Sequence, residues 1–163
     1  MSKDDVMLML QLISLTGEKF KEKVYEITLP TTSGEISVFP DHEALVTLAK
    51  PGAIAIRRRK TDPDDAREYF AISGGIVEID AKRVRILVDE ADYSDDIVEA
   101  EAEKALQRAI KLRDTAGSEV ELEDALQQVA LYSSKLKVAG LRRRTSRRRP
   151  SLSEEMASKG PMQ

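Results

Sequence analysis

Apolar residues recur at every second position through the first half of the chain: Leu8, Leu10, Leu12; then Tyr25, Ile27, Leu29; then Val84, Ile86, Val88. A period of two sends alternate side chains to opposite faces, so each run predicts a strand with one buried face. Turn-forming clusters separate the runs at Thr16-Gly17, Thr31-Thr32-Ser33-Gly34, Lys50-Pro51-Gly52, Asp62-Pro63-Asp64-Asp65, Gly74-Gly75 and Asp80-Ala81-Lys82. Many short strands at close spacing predict an antiparallel β-sandwich or barrel over residues 1 to about 90.

After Tyr93 the period becomes helical. Ile97, Ala105, Ala109 and Leu112, with Leu106 and Ile110 alongside, stripe a helix from about Asp96 to Thr115, with Asp96 and Glu99 spaced as an N-cap pair. Ala116-Gly117 ends it, and Ser118-Glu119-Val120-Glu121 has capping-box spacing for a second helix. Leu122, Ala125, Leu126, Val129, Ser133 and Leu136 form its expected inward stripe down to Ala139, with Gly140 as the C′ residue. Residues 91–140 thus read as an antiparallel hairpin. Its stripes are narrow and alanine-rich, so it is weak without tertiary packing. Residues 141–163 read as a basic, disordered tail.

Composition narrows the chemistry. The chain has 163 residues, no cysteine, no tryptophan and one histidine. A disulfide framework, thiolate metal sites and a His-pair zinc site are therefore excluded, and the core must be aliphatic. No apolar run approaches the roughly 20 residues that span a bilayer, and the first residues are acidic. A soluble cytoplasmic chain is expected. The net charge of -3 conceals two blocks: eight acids and no base from Asp89 to Glu103, and six arginines and no acid from Arg142 to Arg149.

Individual motifs have modest readings. Ser73-Gly74-Gly75 lies between two strand-like runs, not before a helix, so Gly74 and Gly75 are expected to bend the chain and not to cradle phosphate. His42 has flanking carboxylates but no second histidine, cysteine or nearby nucleophile, and reads as a loop residue after Pro40. The acids after Asp89 lack the alternation and central glycine of a calcium loop; a helix dipole and solvation explain them. The arginine run suits RNA, anionic lipid or an acidic protein surface. It has no interleaved aromatics for base stacking, which weakens the RNA reading.

Two motifs stand in a specific order. Gly34-Glu35-Ile36-Ser37-Val38-Phe39-Pro40-Asp41-His42 leads into Lys50-Pro51-Gly52-Ala53-Ile54, and Phe70-Ala71-Ile72-Ser73-Gly74-Gly75-Ile76-Val77-Glu78-Ile79 follows. With the charged hairpin after them, residues 6 to 139 resemble the epsilon subunit of the rotary F-type ATP synthase. The arginine-rich extension has no counterpart in that resemblance. Two positions depart from the family pattern: Asp41 stands where a glycine is usual, and Ala44 where a proline is usual.

The resemblance implies a non-catalytic rotor subunit without cofactor or metal, at the cytoplasmic face of the cell membrane and peripheral to it. Its sandwich would bind the gamma subunit and the ring of c subunits, with the Glu35 turn and the His42 loop together at the end facing them. Its hairpin would regulate hydrolysis, obstructing it when extended toward the alpha and beta subunits. Lys135, Lys137, Arg142, Arg143 and Arg144 would meet an acidic segment of that catalytic head, so that replacing the arginines would relieve inhibition. Some bacterial epsilon subunits bind ATP through Ile-Asp-x-x-Arg-Ala. Here the matching residues run from Ile97 to Ala102, with Val98 for the acid and Glu101 for the arginine, although Arg108 stands where a later arginine lies. A carboxylate in place of a guanidinium reverses a pair term of about 4 kcal/mol at 4 Å and an effective dielectric near 20, so weak or no ATP binding is expected. Two rivals remain: a nucleic-acid adaptor using the arginine tail, and a small-ligand enzyme around His42. Neither accounts for the two ordered motifs.

Overall fold

The computed structural model describes residues 6–148, with side chains through Thr145. Ten strands come first: β1 (Leu8–Ser14), β2 (Gly17–Val24), β3 (Glu26–Thr31), β4 (Gly34–Val38), β5 (Leu45–Ala49), β6 (Gly52–Arg57), β7 (Glu68–Ile72), β8 (Gly75–Ile79), β9 (Arg83–Val88) and β10 (Ala91–Tyr93). Two helices follow, α1 (Glu99–Asp114) and α2 (Glu119–Arg148). The strands run in the order β10-β7-β6-β3-β5-β8-β9-β1-β2, with β4 on the free edge of β3. Where β3 meets β5 the only paired residues are Thr31 and Ala49, and there the sheet turns over into a second layer. Pairing is antiparallel except between β1 and β9, which lie parallel from Met9↔Arg83 to Ile13↔Leu87.

The predicted alternation is the buried face, except that Tyr25 is only half-buried between buried Val24 and Glu26. Leu8, Leu10, Leu12, Ile27, Leu29, Ile54, Ile56, Ile72 and Ile86 are fully buried between the layers. Each contributes about 1.5–3 kcal/mol over an exposed side chain. All the largest fully buried side chains belong to the sandwich. β10 pairs with β7 through Ala91↔Ile72, which carries the sheet to Tyr93, just past residue 90. Among the described residues one charged side chain is buried: Glu26, 7% exposed, accepts a hydrogen bond from Arg57 Nε at 2.8 Å and pairs with Arg67 at 3.4 Å.

The hairpin follows the pattern in outline and departs from it in detail. The Ser118 box forms: Glu121 N–H donates to Ser118 Oγ at 3.2 Å, and Gly117 N–H donates to the Glu121 carboxylate at 2.8 Å. Asp96 does not cap α1. It ends a short 3₁₀ turn, Ser94–Asp96, and the cap position falls to extended Val98, which has no side-chain acceptor to offer. Glu99 and Glu101 then answer the dipole of the first turn.

Nor does α2 stop at Gly140; it continues through that residue to Arg148. An interior glycine costs only about 0.5–1 kcal/mol against alanine. That is too little to end a helix whose Val138 and Ala139 are buried. The expected tail therefore begins as helix, and its residues from 149 on lie outside the described residues. The inward face is also rotated. Ala125, Leu131, Ser134, Val138 and Ala139 are buried, while Ser133 is exposed and Leu122 and Leu126 are 40% and 48% exposed; on α1, Leu112 is 53% exposed. The cause is a second neighbour: α2 lies against β6 and β7 as well as α1, and its facing residues must serve both.

Candidate functional site

Strand register sorts the turns into two opposite ends of the sandwich. Thr31↔Ala49, Ala49↔Gly75 and Gly75↔Val88 bring the Gly34, Pro51 and Gly74 turns to one end. Leu45↔Ile79 and Ile79↔Val84 put the loop before β5 and the β8–β9 turn at the other, where Asp41 N–H donates to Ala81 O at 2.9 Å. Glu35 opens β4 and His42 follows its end, so the two candidate rotor contacts do not share one end as expected. The cause is β4 itself, extended between them.

Each is held locally. At the first end, Thr31 Oγ1 donates to Gly34 O at 2.6 Å and accepts from Ser33 N–H at 3.2 Å, which leaves Glu35 exposed on a tight turn. At the other, Asp41 has φ 65°. That left-handed conformation explains the glycine usual at this position, and aspartate is among the few other residues that adopt it readily. His42 Nδ1 lies 2.7 Å from the Glu43 carbonyl, to which it donates.

Gly74 and Gly75 carry the chain from β7 in one layer to β8 in the other. Gly74 has φ 93°, and a Cβ there would sit 2.9 Å from Ala49 O. At Gly75, φ is 156° and a Cβ would sit 2.0 Å from Leu87 O. The neighbouring strands β5 and β9 lie too close here for any side chain. Ser73 N–H donates to Glu90 O at 3.0 Å, which ties the crossing to the turn before β10.

The outer face of β5 and β8 holds a feature the sequence reading missed. Leu48 lies opposite Ile76, with Val46 two residues along on the same face. They are 55%, 45% and 73% exposed, and Leu15 in the β1–β2 turn is 80% exposed. The signal was present: Leu45-Val46-Thr47-Leu48 is apolar without alternation, so both of its faces carry apolar side chains.

The degenerate nucleotide motif lines a 310 Å³ cleft between α1 and α2. Val98, Glu101, Ala102 and Arg108 all border it, beside Ile97, and α2 adds Tyr132 and Lys135, which the motif did not name. Asp92 and Asp96 join Glu101 there, so carboxylates outnumber the cations. Lys135 is already engaged, pairing with Glu90 and with Asp92 at 2.9 Å. Burial opposes its charge, but the bonds to these two carboxylates together outweigh that cost and raise its pKa.

The remaining basic residues divide. Arg142 Nε pairs with Asp95 at 3.0 Å and Arg143 Nε with Glu99 at 3.3 Å. Among the described residues, Lys137 and Arg144 are exposed and have no carboxylate within 4.0 Å. The two charge blocks of the sequence thus meet within the chain. No group of three or more potential metal ligands occurs among the described residues, and no described helix is long and apolar enough to cross a membrane.

Residues 7–93 match the family described as ATP synthase, Delta/Epsilon chain, beta-sandwich domain. The ATP synthase epsilon chain of Xanthomonas campestris pv. campestris is 33% identical over 134 residues, covering 82% of this chain and 93% of that one. That of Delftia acidovorans is 32% identical over 132 residues, covering 81% and 91%. Among solved structures, a chain of the Euglena gracilis mitochondrial ATP synthase, in an assembly of OSCP, F1 and c-ring, superposes with a TM-score of 0.68 at 22% identity, covering 85% of this chain and 84% of that. A chain of the Tetrahymena thermophila mitochondrial ATP synthase central stalk and c-ring gives 0.51 at 17% identity, covering 79% and 96%. At such identities these two likenesses speak for the fold, whereas the sequence matches extend across sandwich and hairpin alike: the chain belongs to the ATP synthase epsilon-chain family.

Proposed function

We propose that this chain is a non-catalytic subunit of the central stalk, which couples gamma to the c-ring and restrains ATP hydrolysis through its C-terminal helices. It would work at the cytoplasmic face of the membrane, held there by the complex. The observation that carries this reading is an unequal division of packing. The sandwich encloses the large aliphatic core, while the hairpin rests on a stripe of mostly small residues and ion pairs. Such an element can leave its seat without unfolding the domain that holds it. Fully helical, the 30 residues of α2 span about 45 Å, enough to reach far beyond the sandwich.

The same reading assigns a partner to each surface. Glu35 and His42 cannot both face the ring, so Glu35 is assigned to the c-ring and His42 to gamma. The stripe of Val46, Leu48 and Ile76 between the two ends is the gamma-binding face. Lys137 and Arg144 remain available to an acidic surface of the alpha and beta subunits. A nucleic-acid adaptor is disfavoured because Arg142 and Arg143 are occupied by the chain's own carboxylates. No ATP site is assigned, given the carboxylates around Arg108.

Removal of residues from 118 onward tests the reading. In the reassembled complex it should raise ATP hydrolysis while the shortened chain still co-purifies with gamma. Loss of gamma from the complex, or hydrolysis unchanged, would count against it.

A further inference from the structure

Three cations of α2 share one face: Lys135, Arg142 two turns later, and Arg143 beside it. In that order they meet Glu90 and Asp92, then Asp95, then Glu99, all within the acidic block of the sequence. The helix reaches the last two pairs only because it passes Gly140. An α2 that ended there, as the sequence suggests, would have Lys135 alone.

We propose that the helical arginine extension is a latch that holds α2 in its docked place, with Asp95 in the turn after β10 and Glu99 at the start of α1 as its strike plate. The inference rests on the reading of the hairpin as a detachable regulator and gives the extension a definite sign within it. An arginine paired with Asp95 or Glu99 cannot at the same time engage an acidic surface on the catalytic head. The extension therefore favours the docked, permissive arrangement, and neutralising Arg142 and Arg143 should release α2. That reverses the expectation drawn from the arginines as a simple basic tail. Both pairs are exposed at about half of each side chain, so each is of ordinary surface strength. Together they should shift the docking equilibrium by about two- to tenfold, an effect that salt screens.

Amide hydrogen exchange on the isolated full-length chain reads that equilibrium directly, because an undocked helix of this composition frays and exchanges. Exchange across residues 126–139 should speed by about two- to tenfold in Arg142→Gln/Arg143→Gln at low ionic strength, with β7 and β8 unchanged. The difference should vanish near 1 M salt, where the Debye length is about 3 Å. Arg144→Gln removes the same charge from a neighbour that has no carboxylate within 4.0 Å among the described residues, and should leave exchange as it was. Asp95→Arg with Arg142→Asp restores the pair in reverse and should recover protection lost in Arg142→Asp. Equal effects of Arg142→Gln and Arg144→Gln, no effect of the double neutralisation, or no recovery on reversal would each overturn the latch. Hydrolysis is not measured, so a hairpin that fails to inhibit would leave this result standing.

Discussion

Replacing Leu48 and Ile76 together by alanine should weaken binding to the gamma subunit by about 30-fold and leave the fold intact. The two face each other across β5 and β8, and in the free chain they are 55% and 45% exposed. Burying such a side chain completely is worth about 1.5–3 kcal/mol, so the half still in water can yield about 1 kcal/mol at each position. About 2 kcal/mol in total corresponds to that factor at about 1.4 kcal/mol per tenfold. Exposed positions of this kind usually change stability by no more than about 0.5 kcal/mol, so the thermal midpoint should hold. The assay is calorimetric or optical titration of separately produced gamma, beside Leu122→Ala/Leu126→Ala as a control. The control pair is 40% and 48% exposed but lies on α2, off the assigned face. Unchanged affinity in the sheet variant, or an equal loss in the helix variant, would refute the assignment of gamma to this face.

Gly75→Ala should destabilise the sandwich by about 2–4 kcal/mol, lowering its thermal midpoint by about 10 °C, because the new Cβ meets the Leu87 carbonyl on the adjoining strand. Gly117→Ala, whose Cβ meets only the Glu121 carboxylate at 3.5 Å, should shift it far less, and equal midpoints would sink the account of the crossing. Calorimetric titration of the isolated chain with ATP should show no saturable binding in the micromolar range; binding there would mean that Arg108 and Lys135 overcome Asp92, Asp96 and Glu101 around the cleft.

What the sequence determined by itself was local. The alternation from Leu8 to Val88 defined the buried face of the strands, since a period of two is a property of extended backbone and needs no partner to be read. The Ser118 box was legible for the same reason: its hydrogen bonds close within four residues. Gly74 and Gly75 announced a bend, and the ordered motifs around His42 and Gly74 announced the family. Tertiary structure decided the rest. Glu35 and His42 are seven positions apart, and only the pairing of β4 against β3 sends them to opposite ends. Gly140 is a helix terminator by local preference, a matter of about 1 kcal/mol that packing of Val138 and Ala139 offsets. The inward face of α2 depends on two neighbours at once, which a periodicity along one helix does not contain. Between the arginines and Asp95 lie almost fifty residues, and their meeting depends on how the hairpin sits against β6 and β7. Periodicity is written residue by residue, whereas the placement of faces, ends and charges is a sum over contacts that only the folded chain brings together.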